Sequence, residues 1–220
     1  MNKIYNIWIL IISIITLPIA FFAGMNQEFG AWNIILTDYE YIDLAFGIAA
    51  GLIFLLGASR SAKKWTGLRI VNKKEKFIYN AVIGKERIKR TRVLNYIEIF
   101  YFFILAIGFT VFSVKAASVS LVFFILIIDA TLYSVIGIWG KKYRIGMTSK
   151  AIVSVDREVI AIYFKGLKTI TYKSDNLIFE YVNDLVLDLP IENVRVEDRA
   201  HFFELLKEKI DREKVFLIGM

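Results

Sequence analysis

The stretch LVFFILIIDATLYSVIGIWG, residues 121–140, is apolar on both sides of a single carboxylate, Asp129. A helix needs about 20 predominantly apolar residues to cross a hydrocarbon core of about 30 Å. The stretch therefore predicts a transmembrane helix, which we place at about residues 119–139. Its aspartate needs a protein environment, because a charge at the centre of a bilayer costs at least about 2.5 kcal/mol.

Three other stretches share this apolar character, so the sequence predicts four membrane spans. The further spans lie at about residues 4–23, 41–58 and 94–114. The first stretch is longer than the apolar core of a signal peptide, which favours a retained span over a cleaved signal. The whole chain is 57% hydrophobic, above the proportion of about 45–50% that is typical of soluble domains.

The positive charge is concentrated in the loop between the second and third spans, residues 59–93. Residues 60–92 contain twelve Lys and Arg, opposed only by Glu75 and Glu86, in a chain of net charge +7. The loop at 25–40 has no Lys or Arg, whereas GKKYR follows the fourth span. Because short basic loops remain in the cytoplasm, this asymmetry predicts that both termini are cytoplasmic.

The basic loop has two interpretations. In the first, the charge only sets the orientation of the protein and keeps the loop soluble. In the second, the loop binds anionic lipid head groups, with a gain in free energy of about 1 kcal/mol per basic residue near the surface. We assign a membrane-surface position to Lys63, Lys64, Lys73, Lys74, Lys89 and Arg90. Nucleic acid is disfavoured as a partner, because the loop lacks an array of aromatic residues for stacking.

After Trp139 the pattern changes to alternating apolar and polar residues, which is typical of half-buried strands. We predict six strands, at KKYRIGM, AIVSV, EVIAIYF, LKTITYK, NLIFEYV and LVLDLP. Asp, Asn and Gly residues between them mark the turns of an antiparallel meander. A closing amphipathic helix follows, with its apolar face at Phe202, Phe203, Leu206 and Ile210. Residues 140–220 are therefore expected to form a small cytoplasmic domain of antiparallel strands and one helix.

Three segments of this tail carry a family resemblance: YRIGMTSKAI, FKGLKTITY and VLDLPIENVRVEDRAHFFELLKEKI. They resemble the bacterial pleckstrin-homology-like (PH-like) domains that are fused to transmembrane helices. The resemblance covers residues 142–212. It implies a bent antiparallel sheet or partly open barrel, covered at one end by the C-terminal helix. It also implies membrane association and protein–protein interaction, and for a bacterial chain it implies the inner membrane.

Two segments keep alternative structures open. The loop residues GLRIVN and FIYNAVIG, on either side of KKEK, are compatible with a β-hairpin or with a short helix. A hairpin would extend the C-terminal sheet to the seven strands of a PH-like domain. The apolar end KVFLIGM, residues 214–220, has three possible placements: folded back on the sheet, in contact with the bilayer, or in a groove of a partner. Packing within the protein is the favoured alternative.

Asp129 is expected to face protein as a largely neutral acid that donates one hydrogen bond, with Tyr133 on the same face of its helix. We expect the second span to pack against the fourth, because Gly47 and Gly51 form a small-xxx-small motif. In the third span, Glu98 lies near the cytoplasmic end. It is offset from Asp129 by about six residues, or about 9 Å along the axis.

The sequence contains no motif for enzymatic chemistry. It has no HExxH, Gly-x-Ser-x-Gly, P-loop or GxGxxG pattern, no Cys and one His, so we expect no catalysis, metal or cofactor. The sequence favours a scaffold or recruitment protein that binds a membrane protein, a cytoplasmic protein or a second copy of the chain. The alternative is a small transporter or channel component, in which Asp129 is a proton or ion site.

Overall fold

The computed structural model describes residues 2–29, 42–211 and 215–219. Five helices are found in these residues: α1 Asn2–Phe29, α2 Ile42–Val71, α3 Lys85–Phe112, α4 Ala117–Ile138 and α5 Arg199–Lys209. The strands are β1 Tyr79–Val82, β2 Arg144–Met147, β3 Ala151–Val155, β4 Val159–Tyr163, β5 Leu167–Lys173, β6 Asn176–Tyr181, β7 Val186–Pro190 and β8 Phe216–Ile218. Most of the loop at 25–40, which supports the predicted orientation, lies outside the described residues.

Helices α1 to α4 confirm the four predicted spans. Each is long and apolar enough to cross a membrane, which indicates a multi-pass membrane protein. Large apolar side chains are exposed along all four helices, as expected for surfaces that face lipid. Helices α2 and α3, with 30 and 28 residues, extend beyond the predicted spans. The reason is that Lys, Arg and Glu form helices well, so a helix does not end where its apolar stretch ends.

The chain divides into two compact units. The first consists of Met1–Lys63 and Leu94–Tyr133, and the second of Lys64–Val93 and Ser134–Met220. The basic loop, which the sequence placed with the membrane region, therefore belongs largely to the second unit. We call these the helical unit and the sheet unit.

The helical unit has an aromatic and aliphatic core shared by all four long helices. Phe109 stacks on Phe123 with ring centroids 5.9 Å apart, and Phe102 also contacts Phe123. Ile9 and Ala20 of α1 and Phe46 and Ile53 of α2 are buried in the same cluster. At one end of the α3–α4 pair, the hydroxyls of Thr110 and Ser120 are 2.7 Å apart.

The sheet unit contains two four-stranded sheets, ordered β1-β2-β3-β4 and β7-β6-β5-β8. All six strands predicted after Trp139 are present, and α5 buries Phe202 and Leu206 as expected. Of the two loop segments whose structure was left open, GLRIVN forms the end of α2 and FIYNAVIG contains a single strand, so the loop forms no hairpin. This strand, β1, pairs antiparallel with β2, from Tyr79 opposite Met147 to Val82 opposite Arg144. The apolar tail folds back on the sheet as β8, parallel to β5.

The predicted packing of the second span against the fourth is found, but at a different glycine. A Cβ atom added at Gly57 would lie 2.4 Å from Cδ2 of Leu126 on α4, whereas at Gly47 and Gly51 it would meet none of the described atoms within 4 Å. The assignment of Gly47 and Gly51 to helix packing is therefore wrong. Because α2 is apolar on all sides within its span, its sequence does not indicate which face is buried.

We expect Gly57→Ile to destabilise the helical unit by about 1–3 kcal/mol, because the larger side chain overlaps Leu126. Gly51→Ile is the matched control and should change stability by less than about 0.5 kcal/mol, because its side chain points into open space. Unfolding of the full-length protein in mixed detergent micelles measures both. A loss of stability for Gly51→Ile that is larger than the loss for Gly57→Ile would contradict the burial of the α2 face that contains Gly57.

A fragment of residues 140–220 lacks β1, so Phe202 of α5 loses the ring of Tyr79, whose centroid is 5.4 Å away. Losing one buried aromatic costs about 3 kcal/mol, a large part of the stability of about 5–15 kcal/mol that a domain has. We expect the fragment alone to show no cooperative thermal transition by circular dichroism. Adding a peptide of residues 64–93 should restore one, whereas cooperative unfolding without the peptide would show that β1 is dispensable.

Candidate functional site

Four polar side chains meet inside the helical unit. Arg60 and Ser61 are consecutive residues of α2, while Glu98 lies on α3 and Asp129 on α4. Nη2 of Arg60 donates a hydrogen bond to Oε2 of Glu98 at 2.7 Å and is 2.6 Å from Oε1. Oγ of Ser61 donates to Oδ1 of Asp129 at 2.7 Å. We call these four residues the polar layer.

The two contacts of the polar layer start from neighbouring positions of α2. Arg60 and Ser61 are consecutive residues, so their Cα atoms differ by only about 1.5 Å in depth. The offset of about 9 Å expected between Glu98 and Asp129 along the axis stays a prediction, because the long side chain of Arg60 can reach a carboxylate at a different depth.

The Arg60–Glu98 pair is almost completely buried. Arg60 is 5% and Glu98 8% exposed, and Nε of Arg60 has no hydrogen-bond partner among the described residues. Removing charges from water is costly, so a buried pair adds little net stability. Losing one partner, however, leaves an uncompensated charge. Tyr133, predicted on the face of Asp129, is 2% exposed and so is also inside the protein.

Apolar side chains fill the bundle between the polar layer and the Thr110–Ser120 contact. Phe102 and Phe109 each contact Phe123 there, and all three are at most 4% exposed. These rings separate the contacts of the polar layer from the Thr110–Ser120 contact. This arrangement can fix the register of the helices, because each polar group needs its partner opposite it.

The predicted membrane-surface cations have different environments. Nζ of Lys63 is 2.6 Å from the hydroxyl of Tyr5 and 4.7 Å from the centroid of its ring. Lys64 is only 4% exposed, so its assignment to the surface is wrong, because it lies on the inward face of α2. The other four are exposed in the sheet unit: Lys73, Lys74, Lys89 and Arg90.

Two basic segments of the sheet unit that are far apart in the sequence come together. Nδ2 of Asn72, at the end of α2, donates to the carbonyl oxygen of Lys142, after α4, at 2.9 Å. The exposed cations next to these two residues form what we call the basic patch: Arg69, Lys73, Lys74, Lys76, Lys141 and Lys142. Within the patch segments the only acid is Glu75. The exposed side chains of Ile70 and Trp139 adjoin it in sequence.

A buried carboxylate connects α3 to the turn between β3 and β4. Asp156 is 1% exposed and accepts hydrogen bonds from Nε of Arg87 at 2.5 Å and from the backbone nitrogen of Glu158 at 2.8 Å. Its Oδ2 is also 3.5 Å from the hydroxyl of Thr91. The sequence does not reveal this site, because an Asp between two strands is typical of a turn and Arg87 is one of twelve basic residues in the loop.

Tyr79 connects β1 to the start of α5. Its hydroxyl is 3.4 Å from Oδ2 of Asp198, and Arg195 forms an ion pair with the same carboxylate at 2.7 Å. Burial, and secondly the charge of Asp198, raise the pKa of Tyr79 well above its ordinary value. The phenol therefore stays neutral and can donate its proton in a hydrogen bond to the carboxylate of Asp198.

The described residues contain no group of three or more His, Cys, Asp or Glu side chains that could hold a metal ion. No protein family model, curated protein or solved structure matches the chain. The described residues present a polar layer with a buried Arg60–Glu98 pair, an Arg87–Asp156 pair whose carboxylate is buried, a basic patch and exposed sheet surface.

We expect Glu98→Ala to destabilise the protein by about 3–5 kcal/mol, because it leaves Arg60 buried without a counter-charge. The double substitution Arg60→Met with Glu98→Ala should recover most of this loss, since neither charge is then buried. Unfolding of the parent protein, Arg60→Met, Glu98→Ala and the double variant in mixed micelles completes the cycle and gives the coupling energy. A loss below about 1 kcal/mol for Glu98→Ala would indicate that Arg60 is hydrated, as a surface pair would be.

Proposed function

We propose that the protein is an integral membrane scaffold that presents a PH-like binding domain at the cytoplasmic face of the membrane and recruits a partner protein there. The observation that carries this proposal is the set of strands and the helix that make up the sheet unit. Strands β1 to β7 in two antiparallel arrangements, followed by α5, correspond to the seven strands and closing helix implied by the sequence resemblance. The likeness is one of fold, and a fold alone does not define a ligand.

An insertion explains why only part of the resemblance is visible in the tail. Strand β1 precedes α3 in the chain, while β2 follows α4. A pair of membrane helices therefore interrupts the proposed PH-like domain between its first two strands. This arrangement supports a scaffold, because the binding domain is joined to the membrane at several points of its chain.

The basic patch supports the cytoplasmic placement. Cytoplasmic leaflets carry anionic lipids, and each nearby Lys or Arg gains about 1 kcal/mol from their surface potential. Aromatic residues such as the exposed Trp139 are enriched at the interfaces between membrane and water. We propose that the patch contacts anionic head groups and leaves the rest of the sheet unit available to a partner.

A transport function has less support from the geometry. An ion or proton path requires polar groups in succession along the bundle axis. In the helical unit, Arg60 contacts Glu98 and Ser61 contacts Asp129, and aromatic side chains separate these contacts from the one between Thr110 and Ser120. This arrangement favours a structural role for Asp129 over a proton or ion site.

Photo-crosslinking of the full-length protein in its native membrane tests the proposal. A photoreactive amino acid is placed in turn at exposed positions of the sheet unit: Tyr163, Val182, Leu185 and Val196. We expect at least one position to give a discrete adduct with another protein. Val111, exposed on α3, is the control position that faces lipid and should not give that adduct.

The same experiment in an Asp129→Asn background separates the two functions. The substitution preserves shape and hydrogen bonding but removes the titratable group, so a scaffold should keep its adduct. In vesicles, proton or solute flux should be the same for both proteins. Loss of flux in Asp129→Asn, together with no protein adduct at any tested position of the sheet unit, would contradict the scaffold and favour transport.

A further inference from the structure

The sheet unit contains a cavity of about 620 Å³, lined by the β2–β3 turn, the β4–β5 turn and the end of α5. Sites for small organic molecules are concave and usually have volumes of about 300–1,000 Å³. They combine a mostly apolar lining with a few polar groups that orient the ligand. The cavity is therefore large enough for a small molecule, and its lining indicates which chemistry that molecule would have.

The two turns of this cavity are joined by their backbones. The backbone nitrogen of Phe164 donates to the carbonyl oxygen of Lys150 at 2.8 Å. Gly166 has a φ of +84°, which glycine adopts without strain, and its carbonyl oxygen accepts a hydrogen bond from the backbone nitrogen of Val182 at 3.0 Å. These contacts fix the backbone on which Lys150 and Lys165 stand, so that both residues line the same cavity.

The lining combines a buried apolar part with an exposed cationic part. Leu167 and Ile210 are each 5% exposed, whereas Lys150 and Lys165 are exposed. An apolar surface at the bottom of a cavity favours the hydrocarbon part of a ligand, because contact removes both surfaces from water. Charged groups at the rim favour a ligand whose opposite charge remains near the solvent.

The positive charge at the rim is only partly compensated. Lys209 forms an ion pair with Glu208 at 2.6 Å, but within the described part of the chain the ammonium groups of Lys150 and Lys165 have neither a hydrogen-bond nor an ion-pair partner. Among the described lining residues Asp211 is the only acid. A cleft with an excess of one charge and apolar walls concentrates ions of the opposite charge.

We propose that this cavity binds a small amphipathic anion, whose carboxylate or phosphate head contacts Lys150 and Lys165 and whose apolar body covers Leu167 and Ile210. Such an anion has two sources: a free molecule of the fatty-acid type, or an anionic lipid of the bilayer. Neither lysine belongs to the basic patch. The inference goes beyond the recruitment of a partner protein and does not depend on it, because the cavity is formed by the sheet unit of one chain.

Photoaffinity labelling of the full-length protein in phosphatidylcholine nanodiscs tests this site. The probe is a decanoate derivative with a diazirine on its alkyl chain, and labelled positions are mapped by peptide mass spectrometry. We expect labelling of the two turns, residues 148–150 and 164–166, which excess decanoate suppresses and excess decanol, which lacks the charge, does not. Including phosphatidylglycerol in the nanodiscs separates the two sources. Suppression identifies the bilayer lipid as a ligand, and unchanged labelling identifies the free anion.

The double substitution Lys150→Glu with Lys165→Glu should reduce labelling of the turns at least about ten-fold, because two cations become anions. Lys168→Glu is the matched control. It makes the same charge change at an exposed position of β5 outside the cavity lining and should change labelling by less than about two-fold. Thermal unfolding of each variant checks that the sheet unit is intact. Absent labelling of the turns in the parent protein, equal suppression by decanol, or an equal loss in Lys168→Glu would each overturn the proposal.

Discussion

The hydrocarbon core of a membrane offers no partner to a charge, and this constraint explains the arrangement of the polar layer. Helix α2 has no charged residue between Asp43 and Arg60, a distance of about 25 Å along its axis. This is shorter than a typical hydrocarbon core of about 30 Å, so the ends of the charge-free segment lie close to, or slightly inside, the apolar region. Arg60 and Glu98 are stable there because each faces the other within the bundle and both are almost completely buried.

The four spans and the six strands of the tail could be predicted because their signals are local. An apolar stretch of about 20 residues and an alternation of period two depend on neighbours in the chain. The buried face of α2 could not be predicted, because a helix that is apolar on all sides has no preferred face in its sequence, and the packing glycine is Gly57 rather than Gly47 or Gly51. The partner of Asp129 was missed because Ser61 lies beyond the predicted end of the second span at residue 58.

Strand β1 shows a different limit of sequence reasoning. Val82 and its partner Arg144 are separated by two long helices, and a pattern within one short segment does not reveal where its partner lies. Closing a flexible loop of such length would cost conformational entropy. An antiparallel helical hairpin reduces that cost, because it brings its first and last residues to the same end. The α3–α4 pair is held together by the Thr110–Ser120 and Phe109–Phe123 contacts and so returns the chain from β1 to its partner β2.

Specificity of helix alignment offers a physical reason for a carboxylate in the most apolar stretch of the chain. Apolar helices in lipid gain little from one register over another, because lipid tails are as apolar as leucine side chains. Sliding α4 along α2 by one turn would separate Asp129 from Ser61, and sliding α3 would separate Glu98 from Arg60. Each shift leaves a polar group unsatisfied in a medium without water, at a cost of several kcal/mol. The polar layer thus selects one alignment of three helices that their apolar surfaces alone would leave undetermined.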